Sequence, residues 1–381
     1  MAITNCRYYT GYRPCSFKTD CTASCPHKDI PSKRVLIVHL GALGAVLRST
    51  ALLKPIRRKF PNAHITWVTQ APANQLLENN PFIDQLVTYD FSGFMTLKAQ
   101  SFDIGYCIDK SLAATGLIQE LSIDFRYGFT STATGGIIPA NRHAKHLWEL
   151  GLNDHEKFKV NKRSELDLVS EALDIEYDQD PYLLSMSQEE IFEIGRRRKN
   201  WLGENQHVIG INTGCAPTIP YKKLSIEGHR ELIKLIQQRI PNATIVLLGG
   251  SEDNARNRLI AADSNVLSSP TDRGLRDGLL SVGACDVVVT GDSLGMHMAI
   301  ALDCWVVAWF GPTCSNEVDL FDRGVKVLSQ ATCGPCWKRE CHLETMCYDQ
   351  VDYSEILAGI QRGLSAVNKR GLSVPEESPS F

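Results

Sequence analysis

CDVVVTGDSLGMHMAIALDCWVVAWFGPT, residues 285–313, is the stretch whose reading decides the fold. Val287-Val288-Val289 is a short apolar run of strand type, and it passes through Gly291-Asp292-Ser293 directly into a helical pattern over Leu294–Leu302. A second apolar run follows, Trp305–Phe310, ending in Phe310-Gly311-Pro312-Thr313. Strand, small-residue turn, helix and strand form the repeating unit of a doubly wound α/β sheet. An elbow of this kind also has a chemical use. The first turn of a helix carries unpaired N–H groups and a partial positive charge, so it attracts phosphate. Ser293 and Gly295 keep the approach small, and His297 lies one turn further on. The plainer alternative is Ser293 as a helix N-cap and His297 as a packed core residue.

Working outward, the same grammar occurs twice. RVLIVHLGALGAVLRSTALLKPIRRKF (34–60) is a strand, a turn bearing Gly41 and Gly44, and a helix; PNAHITWVT (61–69) is the next strand. HVIGINTG (207–214), SIEGHRELIKLIQQRI (225–240) and PNATIVLLGG (241–250) repeat that order, again with Pro-Asn after a basic-aliphatic helix end. Two similar α/β lobes are therefore expected. Further strands are expected at Gln85–Tyr89 and Ile104–Ile108, and a long polar helix, Gln188–Trp201, is read as closing the first lobe. The division is a polar arm over 1–32, lobes over 33–190 and 191–352, a terminal helix over 353–368, and a flexible tail over 369–381.

Bulk properties agree with this and exclude other classes. A chain of 381 residues, 43% hydrophobic and 22% charged, suits two packed domains. A net charge of -3 gives no basic excess for nucleic-acid binding. No apolar run is long enough to span a bilayer, and MAITNCRYYT has no signal-peptide core. A cytoplasmic location is expected. Two basic runs, Lys54…Arg57-Arg58-Lys59 and Arg196-Arg197-Arg198-Lys199, read as solvated helix faces or as a means of peripheral contact with an anionic inner-membrane leaflet.

Three polar loops converge on the carboxyl edge of the second lobe. They are the elbow, Phe310–Thr313, and Asn212–Cys215 with Lys222. No Gly-Lys-Ser/Thr occurs, and GALGAVLRS does not complete a dinucleotide fingerprint, so ATP hydrolysis and nicotinamide chemistry find no support.

These segments resemble glycosyltransferase family 9, the ADP-heptose:lipopolysaccharide heptosyltransferases, over about 33–365. GDSLGMH followed by FGPT is similar to the family's Gly-Asp-Ser/Thr-x-x-x-His and Phe-Gly-Pro-Thr segments; INTGCAPTIPYKK and VLLGGSEDNARN are similar to its nucleotide-side loops. The resemblance implies a GT-B fold, two Rossmann-like lobes with a cleft between them. It implies an inverting, metal-independent transfer from a nucleotide-diphospho-sugar, typically ADP-heptose, to a lipid-linked or oligosaccharide acceptor of the lipopolysaccharide core. On this reading Thr213, Lys222, Asp292, Ser293, Gly295 and His297 flank the donor diphosphate and sugar, and Glu252 sits where the ribose is held.

One position departs from the pattern. Where the family places an aspartate as general base, this chain has Ala45, after Gly44. Alanine cannot accept the acceptor's proton. His39 and Asp109 are the substitutes in the first lobe; Arg48 and Lys110 suit acidic groups on an acceptor; a catalytically silent nucleotide-sugar or glycan binder is the alternative.

Eight of the thirteen cysteines fall into two groups: Cys6, Cys15, Cys21 and Cys25 in the arm, and Cys333, Cys336, Cys341 and Cys347 near the end. Four thiols in loop-like sequence suit a structural zinc or an iron–sulfur cluster, although neither spacing is that of a zinc ribbon. Transfer itself calls for no cofactor.

Overall fold

The computed structural model describes residues 5–262 and 264–370, so the expected tail lies outside them except for the last helical residues. The chain divides into two compact units. The first comprises residues 1–157 and 165–185; the second comprises 158–164 and 186–381. The helix Gln188–Leu202 thus opens the second unit instead of closing the first. A capping box between Ser187 and Glu190 starts it, and Arg197 anchors it to Asp277 at 2.8 Å within the second unit.

In the first unit the strands are β1 (Lys33–Val38), β2 (Ala63–Thr69), β3 (Gln85–Thr88), β4 (Ser101–Cys107), β5 (Ser122–Ser131) and β6 (Ile137–Pro139). Their order is β3-β2-β1-β4-β5-β6, parallel except for β6, which runs antiparallel to β5. β4 begins earlier than its apolar run because the Asp103 carboxylate accepts the Arg34 N–H at 2.7 Å and ties the two strand starts together. The second unit holds β7 (His207–Asn212), β8 (Ala243–Leu248), β9 (Leu267–Ser268), β10 (Val287–Gly291), β11 (Trp305–Phe310) and β12 (Gly324–Leu328). Their order, β12-β11-β10-β7-β8-β9, is wholly parallel and has the connectivity of the first sheet. The expectation of two doubly wound lobes is met.

Continuous apolar strands covered on both faces explain the burial. Every residue of β2 and of β10 is buried. In the second unit Ile209, Ile211, Val289 and Trp309 pack with Leu232 and Ile236 from one helix and Ile356 and Ile360 from the terminal helix, Tyr353–Arg370.

The arm is held as its composition suggests, without a core of its own. Arg7 reaches Asp29 at 2.7 Å, the Ala63 carbonyl at 2.8 Å and Asp84 at 2.5 Å. Phe17 stacks on His27 at 4.1 Å, with Tyr8 edge-on to it at 5.1 Å. Arg57 shares Asp84 at 2.8 Å, so one carboxylate joins the arm to the first unit.

In both units the strand order reverses beside the first strand, between β1 and β4 and between β7 and β10. That is where an open α/β sheet leaves a crevice beyond its carboxyl ends.

Candidate active site

In the second unit the crevice is built by Asn212 at the end of β7 and by the elbow at the end of β10. The Asn212 amide donates to Ser293 Oγ at 2.9 Å and to Thr290 Oγ1 at 3.2 Å. Gly295 is the residue that allows this, because a Cβ there would lie 2.7 Å from Asn212 Cγ. Ser293 occupies the N-cap position of the helix Leu294–Ala301, but its hydroxyl makes no capping bond. Turned toward Asn212, it leaves the first-turn N–H groups without the partner a capping serine supplies.

Lys222 sits in the short turn Pro220–Lys222, with its ammonium 3.7 Å from the Asp292 carboxylate. Gly291 lies so close to the Lys222 carbonyl that a side chain would overlap it. The sequence-expected Lys222, Asp292, Ser293 and Gly295 are therefore brought together, along with Asn212.

Thr213 is different. Its hydroxyl is buried and spent inward, donating to the Leu248 carbonyl at 3.2 Å and to Asn257 Oδ1. It fixes the turn and offers no hydroxyl donor outward. His297 is also buried, one turn into the helix. Glu252 is exposed in the turn Ser251–Asp253 after β8.

Sequence reasoning passed over the neighbours that shape this turn. Asp253 packs on Gly214 and Gly249 and accepts the Gly250 N–H at 3.0 Å; burial pushes its carboxyl up. The Arg256 guanidinium donates to the Thr213 carbonyl at 3.2 Å and to the Leu224 carbonyl, and burial pulls it below its ordinary value. Both lie in the VLLGGSEDNARN segment just past the carboxyl end of β8, but their roles come from Gly214, Thr213 and Leu224 on other segments.

In the first unit the crevice is a cavity of about 280 Å³ lined by His39, Gly41, Ala45, Arg48, Asp109 and Glu165, among others. β1 and β4 are paired with Val38 opposite Cys107, which sets His39 and Asp109 at adjacent strand ends. The Asp109 carboxylate accepts the Leu40 N–H. His39 Nδ1 is 2.7 Å from Ser49 Oγ, and burial drops the imidazole to about 4 despite the nearby Asp109 charge. Glu165, missed in the sequence, lies 3.8 Å from Arg48 and 3.7 Å from Lys110. Burial pushes its carboxyl up, but Lys110 and Arg48 outweigh that and hold it at about 2. These two cations are thus occupied by a carboxylate of the chain itself.

The cysteine groups behave differently from the metal expectation. Among the described residues, no three His, Cys, Asp or Glu side chains are gathered as ligands for an ion. In the arm, Cys6 accepts the Asp29 N–H at 3.5 Å, Cys25 lies 3.6 Å from Thr19 Oγ1, and Cys15 and Cys21 are half-buried. Near the end, Cys347 packs on Gly311, and the Cys336 N–H donates to the Pro312 carbonyl at 3.0 Å, so this loop wraps the Phe310–Thr313 segment. Burial, with Cys336, Cys333 and Cys341 nearby, pushes the Cys347 thiol up to about 11. The shift shows that these four thiols lie close enough to act on one another, although among the described residues no three candidate ligands are set around a common point.

Three residues of each basic run make ion pairs within their own unit, while Arg58 and Arg196 stay about half exposed. Arg57, Arg58 and Lys59 reach Asp84, Asp180 and Asp174 at 2.8, 2.7 and 2.9 Å. Arg196, Arg197 and Arg198 reach Glu193, Asp277 and Asp286 at 2.7, 2.8 and 2.9 Å. Among the described residues no helix is long and apolar enough to cross a membrane.

Residues 92–347 match the family model described as glycosyltransferase family 9 (heptosyltransferase). The chain belongs to glycosyltransferase family 9. The matched range holds the elbow, Lys222 and the second cysteine loop; His39 and Ala45 precede it. Lipopolysaccharide heptosyltransferase 1 of Campylobacter coli is 23% identical over 324 residues, 77% of this chain and 90% of that one. Two solved structures share the fold. The family 9 glycosyltransferase of Veillonella parvula has a TM-score of 0.69 at 17% identity, covering 88% of this chain and 98% of that one. The E. coli ADP-heptose lipopolysaccharide heptosyltransferase II has a TM-score of 0.59 at 18% identity, covering 88% and 99%. The expected family and its two-lobed α/β fold are therefore those of this chain.

Proposed function

We propose that this chain is an inverting heptosyltransferase that takes a heptose-like sugar from a nucleotide diphosphate, ADP-heptose in the favoured case, and gives it to a lipopolysaccharide-core or similar glycan acceptor. The observation that carries this is the second unit's switch point. Lys222, Asp292 and the uncapped start of Leu294–Ala301 meet there on an Asn212–Ser293 floor. One ammonium beside a helix N-terminus suits a diphosphate. As the sugar leaves, negative charge builds on that diphosphate, and donors fixed in place stabilise it without reorganising. Glu252 is proposed to hold the ribose from its exposed turn, and His297 and Gly295 to border the sugar.

Titration calorimetry with ADP-heptose tests the donor half. The expected result is saturable binding, weakened at least about tenfold by Lys222→Ala through loss of a charge-assisted contact. A folded protein that binds no nucleotide sugar overturns the proposal.

A second reading is favoured by Ala45: a homologue that binds nucleotide sugar without transferring it. Turnover with a lipopolysaccharide-core acceptor, lost in Asp292→Ala, excludes it.

A further inference from the structure

We propose that His39 is the base that takes the acceptor's proton, with Asp109 as its positioning partner, in place of a carboxylate at position 45. This rests on the reading above that the chain transfers a sugar.

The hydrogen bonds around His39 suit one tautomer. Ser49 Oγ reaches the Val46 carbonyl at 2.8 Å as a donor. With its proton there, it accepts from His39 Nδ1, 2.7 Å away. A neutral imidazole with its proton on Nδ1 has a bare lone pair on Nε2. That nitrogen faces Gly41: a Cβ built on Gly41 would be 3.2 Å from His39 Nε2 and 2.9 Å from Asp109 Oδ1. A glycine here keeps the space in front of both atoms open. Asp109 is anchored through its other oxygen to the Leu40 N–H, so Oδ1 stays available to an imidazolium. All of this lines the cavity that also contains the Ala45 methyl.

The base strength matches the task. Burial brings His39 to about 4, close to the ordinary value of the aspartate that Ala45 replaces. His39 is thus neutral and ready at neutral pH. The charged groups around it are Asp109 and Lys110 after β4, Arg48 on its own following helix, and Glu165. Glu165 lies in the same cavity but is a poorer base, because two cations hold it ionised at about 2.

In the step, the acceptor hydroxyl oxygen forms a bond to the anomeric carbon. The bond from that carbon to the diphosphate oxygen breaks, and its electron pair leaves with the nucleoside diphosphate. The hydroxyl proton passes to His39 Nε2, and the imidazolium is held by Asp109 until solvent removes the proton.

The test uses the full-length protein with ADP-heptose and a panel of lipopolysaccharide-core acceptors. It measures donor binding by calorimetry and the pH profile of nucleotide release. His39→Gln is expected to bind donor within about twofold of wild type, to lose about 100-fold in kcat, and to lose the acidic limb of the profile. Asp109→Asn is expected to move that limb to lower pH, since its charge supports the imidazolium; this also serves if His39→Gln does not fold. Adding Ala45→Asp to His39→Gln is expected to recover at least about tenfold of the lost rate. A His39→Gln protein with wild-type kcat and an intact acidic limb overturns the inference while the functional reading stands. Wild-type protein that binds donor but transfers to no acceptor in the panel overturns it as well. Failure to bind donor at all overturns the functional reading first.

Discussion

Gly291 is the sharpest point at which to test the elbow, because its lack of a side chain lets the Lys222 turn close on β10. In Gly291→Ala the new methyl overlaps the Lys222 carbonyl oxygen, and Trp309 Nε1 stands 3.3 Å away on another side. An ordinary carbon–oxygen contact is about 3.3 Å, so the turn must retreat by on the order of 1 Å. The turn carries the Lys222 ammonium, now 3.7 Å from Asp292. It also carries the Tyr221 hydroxyl, which accepts the Cys341 N–H at 3.1 Å. Overpacking of this kind costs about 1–3 kcal/mol of stability. A displacement of about 1 Å at a reacting centre can cost about 100-fold in rate, equivalent to about 2.7 kcal/mol. Calorimetric titration with ADP-heptose should show binding at least about tenfold weaker, with a melting temperature a few degrees lower. Gly278→Ala is the matched control, because nothing lies within 4 Å of the added carbon in the helix Leu275–Gly283; it should be neutral or stabilising by about 0.5–1 kcal/mol. Wild-type donor affinity in Gly291→Ala would falsify the argument that this close approach builds the site.

Three other perturbations follow from the structure. Asp84→Ala removes the carboxylate shared by Arg7, Arg57 and the Ile65 N–H; Arg7 keeps Asp29, but the poorly exposed Arg57 loses its carboxylate partner; urea unfolding should show a loss of about 2 kcal/mol, and limited proteolysis should cut the arm first, whereas an unchanged midpoint refutes the shared-anchor role. Burial holds His229 neutral and brings it down to about 4, so the unfolded chain binds the extra proton first: stability should be flat above about pH 6.5 and fall by up to about 3 kcal/mol as pH drops toward 4, with the slope reduced in His229→Gln and a pH-independent midpoint counting against it. Elemental analysis of anaerobically purified protein should find well under about one zinc or iron per chain, because among the described residues no three candidate ligands are set around a common point; a full equivalent lost on Cys336→Ser would show that the four neighbouring thiols near the end close on an ion.

Most strands legible in the sequence are unbroken apolar runs such as β2 and β10, which are buried on both faces. β5, with exposed Asp124, and β12, with half-buried Lys326, carry charges that mask strand character, and β9 is two residues long. The elbow was legible because its residues are consecutive. Glu165, Asp253 and Arg256 were not, since each gains meaning only from a partner on another element: Glu165 from Arg48 and Lys110, Arg256 from the Thr213 carbonyl. The ion pairs of the basic runs were hidden for the same reason. A list of arginines does not disclose that Asp180 waits 122 positions from Arg58, or Asp277 80 positions from Arg197.

The two units share one strand order, yet their switch points have opposite chemistry, and the difference lies in a few side chains at strand ends. Beyond β7 and β10, Asn212 and Ser293 bond to each other and form a neutral floor, with Lys222 nearby. A diphosphate there meets one ammonium and the positive end of a helix, against the single charge of Asp292. Beyond β1 and β4, the Asp109 carboxylate already occupies the Leu40 N–H, and Glu165 already occupies Arg48 and Lys110. In the first unit the chain's own carboxylates thus stand at the switch point. A diphosphate would be repelled there, whereas a neutral sugar hydroxyl would not. The first unit is therefore suited to taking a proton from an uncharged group, and the second to holding the charge that transfer releases.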